Sequence, residues 1–194
     1  MQTNKKTEQV KKLTLMALLT ALVAVLAYLG GFIKIGGFAS INLTLVPVVV
    51  GAALYGPAAG AWLGGVSAAI FFMTADSAFW LGLSIPGTII TVFVKGIMAG
   101  LCAGLVFNLL KNKNKYLAVI ASAIIAPVVN TGIFIAGCFV FFLEAVQEMA
   151  AADGMSLGAY ILIAFVGFNF IFELLANIIL SPAILRIINI RNKK

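Results

Sequence analysis

Three polar side chains recur at intervals of four near the end of this chain, in a segment made mostly of Phe, Ile and Leu. They are Asn169, Glu173 and Asn177. Residues four apart lie on one face of an α-helix, so this spacing predicts a polar stripe. A carboxylate at membrane depth is costly unless it faces protein, and the stripe should therefore point into the interior. Lys95 stands inside another apolar segment at a comparable predicted depth, within possible reach of Glu173.

These residues allow two interpretations. Lys95 and Glu173 could form an internal ion pair that holds two helices together. Alternatively, they could face a polar solute, with the lysine offering a cation to an anionic group and the asparagines offering donors and acceptors. Asn130 could add to the same wall or make hydrogen bonds between helices. Trp80 could stack on a ring or belong to an interfacial aromatic belt.

The residues needed for most catalytic chemistry are missing. The chain has no histidine and no GxxxxGK[ST] phosphate loop, and its carboxylates are scattered. Cys102 and Cys138 match no zinc or CxxC spacing. We therefore expect a protein that is not an enzyme and has no cofactor or metal site. Two hypotheses compete with a solute-binding role: a membrane-embedded enzyme that uses Glu173 and Lys95 as acid and base, or a structural subunit without a ligand.

Composition indicates the environment of these residues. With 63% hydrophobic and only 10% charged residues, the 194-residue chain has too little polar material to coat a soluble globule. We predict an all-α integral membrane bundle of six transmembrane helices in one domain, with the bundle over 13–188 and basic tails over 1–12 and 189–194. The predicted helices are Leu13–Gly30, Ile41–Leu54, Pro57–Thr74, Pro86–Leu110, Tyr116–Leu143 and Gly158–Ile188.

The basic residues predict the orientation of the bundle. With both termini cytoplasmic, all 13 lysines and arginines except Lys34 and Lys95 fall on the inner side. This accounts for the positive charge without a nucleic-acid partner. The outer connections, Gly31–Ser40, Ala75–Ile85 and Glu144–Leu157, are longer than the inner ones and could act as lids or simply join helices.

Small residues and prolines form a further pattern. Tyr55–Gly56–Pro57 predicts a very tight turn, and Pro47 predicts a kink or irregularity in the second helix. Ala17 and Ala21 lie on one side of the first helix. Glycines at spacings that let helices approach closely are Gly51, Gly60, Gly64, Gly96, Gly100 and Gly104.

Two stretches carry a resemblance to a known family. A basic tail precedes Ala17-Leu18-Leu19-Thr20-Ala21, which matches an AxxxA docking motif. The run Ile41 to Pro47 is followed by Gly51-Ala52-Ala53-Leu54-Tyr55-Gly56-Pro57-Ala58-Ala59-Gly60-Ala61. Together with six predicted helices, these features resemble the substrate-binding subunit, or S component, of bacterial energy-coupling factor (ECF) vitamin transporters.

The resemblance implies a protein of the bacterial cell membrane that captures a water-soluble vitamin or related micronutrient from outside. It also implies docking through Ala17 and Ala21 onto a transmembrane coupling subunit that works with two ATPases. Lys95, Asn130, Asn169 and Glu173 would then be the pocket residues, with Trp80 beside them. Lys95 suits a carboxylate, which makes pantothenate the first candidate, whereas an unpaired Glu173 would suit a cationic or hydroxylated ligand.

Overall fold

A computed structural model describes residues 2–30, 34–35, 39–40 and 43–192, with side chains over 6–30, 43–164, 167 and 170–189. Apart from one antiparallel pair of two-residue strands, β1 (Lys34–Ile35) and β2 (Ala39–Ser40), the regular elements described are helices. The predicted all-α class is confirmed. The helices are α1 (Gln2–Gly30), α2 (Leu45–Tyr55), α3 (Pro57–Phe71), α4 (Ala75–Leu83), α5 (Ile85–Leu110), α6 (Lys115–Phe141), α7 (Leu143–Ala152), α8 (Leu157–Tyr160), a π-helical segment (Ile161–Gly167) and α9 (Phe168–Asn192).

Helix length and apolar composition indicate which elements can cross a membrane. Within the described chain, four segments qualify: Lys6–Gly30, Ile85–Leu110, Lys115–Phe141 and Phe170–Asn189. Helices α3 and α4 qualify as a fifth span only together, and they are bent by 85° at their junction. Helix α2 has 11 residues and is shorter than a usual span. The chain is thus a multi-pass membrane protein with four or five spans by these criteria.

Helix α2 begins later than the sequence predicts. Residues 41–42 lie outside the described part, and the helix starts at Leu45, which places Pro47 in its first turn. The first N–H groups of a helix have no partner within it, so a proline there removes no hydrogen bond. The predicted kink at Pro47 is therefore not needed.

Two connections predicted as outer loops contain helices. Ala75–Leu83 forms α4, and Leu143–Ala152 forms α7. In α7, Val146 and Ala150 are buried while Glu144 and Glu148 are exposed. The four-residue spacing of the two buried side chains gives this short helix an apolar stripe that packs on the bundle.

The predicted turn between α2 and α3 is confirmed. Gly56 has a φ of 92°, a left-handed value that glycine adopts without a Cβ clash, and its N–H donates to the Ala52 carbonyl at 2.9 Å. Pro57 then occupies the first position of α3. A single residue thus separates the two helices, which reverses the chain at one end of the bundle.

Glycines bring α3 and α5 into backbone contact, as their spacing predicts. A Cβ on Gly60 would overlap the Gly100 carbonyl, and one on Gly64 would overlap the Gly96 carbonyl. Further along, a Cβ on Gly104 would lie 2.5 Å from the Pro57 Cα. Residues later in α3 contact residues earlier in α5. The two helices therefore run antiparallel and close together.

The buried apolar residues form two separate clusters. The first core is built by Leu19, Val23, Val48, Val49, Val50, Ala52, Leu63, Ala103, Phe107, Ala118, Val119, Ala126, Ile184 and Ile188. The second core is built by Cys138, Phe142, Val146, Ala150, Tyr160 and Ile161. Along α6 and α9 the two cores are separated by a stretch that carries Asn130 on one helix, and Glu173 and Asn177 on the other. We call this stretch, together with Lys95, the polar layer.

Candidate functional site

The side chain of Lys95 lies between two aromatic rings. Its Nζ is 4.9 Å from the centre of the Phe134 ring and 5.8 Å from that of Phe71. The local packing explains this position, because Thr91 of α5 fits against Gly137 of α6. Lys95 lies one turn after Thr91 on α5, and Phe134 lies about one turn before Gly137 on α6. Because the two helices run in opposite directions, Lys95 lies beside Phe134. An ammonium group over an aromatic face is attracted by the ring quadrupole.

A buried carboxylate balances this cation. Glu173 of α9 is only 4% exposed, and its charge attracts that of Lys95. Lys95 also lies within electrostatic reach of the Cys138 thiol. The structure thus brings together two charges that stand 78 residues apart in the sequence. Buried ionic groups in a membrane bundle need such partners.

The amide side chains lie one turn deeper toward the first core. Asn130 of α6 is buried and shares a helix face with Phe134 and Cys138, at successive intervals of four. Asn177 of α9 is 1% exposed, and its Nδ2 donates to the backbone carbonyl of Glu173 at 2.8 Å. The side chain of Asn169 lies outside the described part of the structure.

Trp80 closes the site on the side of the second core. Its ring meets those of Phe134 and Phe142 edge-on, with centroids 5.2 Å apart in both pairs. The backbone carbonyl of Trp80 accepts a hydrogen bond from the Thr88 hydroxyl at 2.7 Å, which fixes α4 to α5. Trp80 thus packs inward against the ring on which Lys95 rests. A purely interfacial belt residue would face lipid instead.

The family model for the ECF transporter substrate-specific component matches residues 11–185. The chain belongs to this family. No curated protein and no solved structure matches it. It is therefore a substrate-binding subunit of an ECF transporter. Members of this family are transporter subunits rather than enzymes, and they dock with coupling and ATPase subunits.

In this S component the predicted docking residues stand apart from the polar layer. Ala17 and Ala21 are exposed on α1, on a face that also carries Leu18, Leu22 and Val25. The opposite face of α1 contributes Leu19 and Val23 to the first core. The small-residue face of the S component is thus available to lipid or to another membrane protein.

The sequence analysis did not identify the two aromatic rings that lie beside the Lys95 ammonium group. Phe134 and Phe71 frame the Lys95 cation, and neither stands out among the 15 phenylalanines of this S component. One signal was present, because Phe134 follows Asn130 by four residues and therefore shares its helix face. No comparable signal marks Phe71, whose position depends on how α3 packs against α5.

The site of this S component offers no grouping suited to a metal. Among the described residues, no cluster of three or more His, Cys, Asp or Glu side chains is present. What the polar layer does offer is one cation, one carboxylate, buried amides and aromatic faces. This set can recognise a small polar solute by charge, hydrogen bonding and stacking.

Proposed function

We propose that this S component captures a small, water-soluble vitamin or related micronutrient from the outer side of a bacterial cell membrane. The solute carries a carboxylate, and pantothenate is the first candidate. The observation behind this proposal is the position of the Lys95 ammonium group over the Phe134 ring. The half-buried Lys95 ammonium is already partly removed from water and held on an aromatic face. Binding an anionic solute therefore requires less further desolvation of this cation.

The other polar residues complete the proposed pocket. Glu173 holds the Lys95 ammonium by charge, while Asn130 and Asn169 supply hydrogen-bonding groups and Trp80 supplies a flat apolar wall. Two features support this assignment. Asn130 and Glu173 are buried in the stretch between the two cores, and Trp80 packs on the Phe134 ring that supports Lys95.

We further propose six membrane crossings with both termini in the cytoplasm. The crossings would be α1, α2, α3, α5, α6 and α9, with α4 and α7 lying along the outer surface. The Lys12 Nζ stands 5.6 Å from the Tyr55 ring, which brings the basic start of α1 beside the α2–α3 turn. Gly104 packs on Pro57, so the end of α5 that leads to Lys111 is near the same turn. Basic residues gathered at one end favour the cytoplasmic side.

Docking would use the exposed face of α1. We propose that Ala17 and Ala21 contact the transmembrane coupling subunit, which carries two ATPases. Small side chains let another helix approach closely, and both alanines are exposed on a helix that packs mainly against α3 and α2. This surface is separate from the polar layer, so capture and docking can be impaired independently.

The test of capture is thermal unfolding of the purified, detergent-solubilised protein with a panel of vitamins and their precursors. Binding to the folded state raises the apparent unfolding temperature. Stabilisation by pantothenate or another carboxylate vitamin, lost in Lys95→Met, is the expected result. Stabilisation by cationic vitamins alone would show that Glu173, rather than Lys95, selects the solute.

A further inference from the structure

Two buried oxygens in or beside the polar layer have no hydrogen-bond partner among the described residues. They are Oδ1 of Asn177 and Oγ1 of Thr91. Their side chains are 1% and 4% exposed, respectively. A buried polar atom without a partner destabilises the folded state, and such atoms are uncommon in native structures.

Several hydroxyls elsewhere in the described part of the bundle have hydrogen-bond partners. The Ser122 hydroxyl donates to the Ala118 carbonyl at 2.8 Å, and the Ser77 hydroxyl donates to the Thr74 carbonyl at 2.7 Å. The Thr44 and Ser67 hydroxyls bond to each other at 2.8 Å. Within the part of the chain that the structure describes, the two fully covered side-chain atoms without a partner both lie close along their helices to Lys95 or Glu173.

The orientation of the Asn177 amide follows from its neighbour. Its nitrogen faces the Glu173 carbonyl, which can only accept, so the assignment of nitrogen and oxygen is determined by chemistry. The oxygen at the other end of the amide therefore points away from that carbonyl. It is a buried acceptor that no described residue uses.

The two oxygens flank the charged residues along the bundle. Thr91 lies one turn before Lys95 on the same face of α5, on the side of the second core. Asn177 lies one turn beyond Glu173 on the same face of α9, on the side of the first core. One turn is about 5.4 Å, so a small extended solute anchored at Lys95 can reach either side.

We propose that Asn177 and Thr91 are hydrogen-bonding contacts for the transported solute. It follows that the solute carries hydroxyl or amide groups in addition to its anionic group. The inference rests on the proposed function and narrows its substrate class to hydroxylated or amide-bearing acids. The Thr91 hydroxyl can donate or accept, but the Asn177 Oδ1 can only accept. Acids without O–H or N–H groups would leave that amide oxygen unpaired and are rejected for that reason.

The experiment compares acids with and without donors in the thermal unfolding assay. Pantothenate and biotin carry N–H or O–H donors beside a carboxylate, whereas lipoate and nicotinate carry a carboxylate without them. The native protein should be stabilised by a donor-bearing acid and not by the other two. Asn177→Leu and Thr91→Val should each weaken that binding about tenfold, as expected for one lost hydrogen bond. Thr91→Val should do so without lowering the unfolding temperature of the ligand-free protein, whereas Asn177→Leu also loses the Nδ2 bond to the Glu173 carbonyl and is judged by affinity alone.

Ser122→Ala is the matched control, since this buried hydroxyl has its own partner in α6. It should leave binding unchanged. Preference for lipoate or nicotinate, or unchanged affinity in both variants, would overturn the inference while leaving an anionic solute in place.

The ligand-free proteins separate this inference from the proposed function. If no acid stabilises the native protein, the anionic solute is wrong, and the unfolding temperature of ligand-free Thr91→Val still tests the role of the unpartnered hydroxyl. A Thr91→Val protein as stable as the native one keeps this oxygen assigned to a solute contact. A Thr91→Val protein that unfolds at a clearly lower temperature gives the oxygen a structural role and contradicts the inference.

Discussion

The Nζ of Lys95 lies 4.9 Å from the centre of the Phe134 ring, so a charged group of α5 rests on an aromatic face of α6. The same ring supports Trp80 of α4 with its centroid 5.2 Å away. One phenylalanine thereby joins three helices at the level of the polar layer. Substituting Phe134 should therefore disturb both the Lys95 ammonium group and the packing of α4.

Phe134→Leu should lower both the stability of the protein and its affinity for the solute. Leucine keeps most of the apolar volume but removes the ring face that holds the Lys95 ammonium in place, and a cation–π contact contributes about 0.5–2 kcal/mol. Phe139→Leu is the control, because that ring is 49% exposed on the same helix. Titration of ligand against unfolding temperature measures both. Equal affinities for the two variants would remove Phe134 from the site.

Lys95→Met and Glu173→Gln separate a binding site from a structural ion pair. Lys95→Met leaves the buried Glu173 carboxylate without its partner, which costs about 3–5 kcal/mol. Glu173→Gln leaves the half-buried Lys95 ammonium without its counter-charge, so both variants should unfold at lower temperature. The double variant should regain much of the lost stability but bind no carboxylate solute. Native uptake by the double variant would instead favour a structural role for the pair.

Gly64→Ala should destabilise the bundle strongly, whereas Gly65→Ala should not. The new Cβ at Gly64 would overlap the Gly96 backbone, which cannot move aside easily, and such overpacking costs about 1–3 kcal/mol or more. At Gly65 the nearest atom would be the Ile97 Cγ1 at 3.6 Å, an ordinary contact. Alanine also favours helix by about 1 kcal/mol over glycine. Unfolding temperatures of the two neighbours measure this contrast, and equal values would contradict the close packing of α3 on α5.

Ala17→Trp and Ala21→Trp should abolish uptake and leave solute binding intact. A bulky ring on the small-residue face blocks close approach of the coupling subunit without reaching the polar layer. Ile179→Trp on α9 is the control, since that side chain is 70% exposed on another helix. Uptake by cells and binding by purified protein are measured in parallel. Normal uptake by both alanine variants would show that docking uses another surface.

Labelling from outside the cell tests the proposed orientation. In a protein with Cys102 and Cys138 replaced by alanine, Asp153→Cys should react with a membrane-impermeant maleimide in intact cells. Asn112→Cys, in the turn between α5 and α6, should react only after the membrane is opened. Labelling of Asn112→Cys from outside would reverse the orientation, and labelling of both would point to a different number of crossings.

Much of the architecture could be predicted from local patterns. The tight turn at Gly56 follows from a glycine before a proline, and the close contact of α3 and α5 follows from glycines at intervals of four. In contrast, the sequence does not reveal α4 and α7, which lie in segments that it predicts as connections. Each is short, and its apolar stripe is meaningful only against the surface on which it packs.

The sequence by itself determined the membrane environment, the helical class, the polar stripe of the last helix and the family to which the chain belongs. These depend on composition and on spacing within single segments. Only the tertiary structure decided that Lys95 lies over the Phe134 ring and within electrostatic reach of Glu173, and that Asn177 and Thr91 keep unpartnered oxygens nearby. The register and rotation of packed helices select such contacts, and both arise from how whole surfaces fit together, so no single segment encodes them.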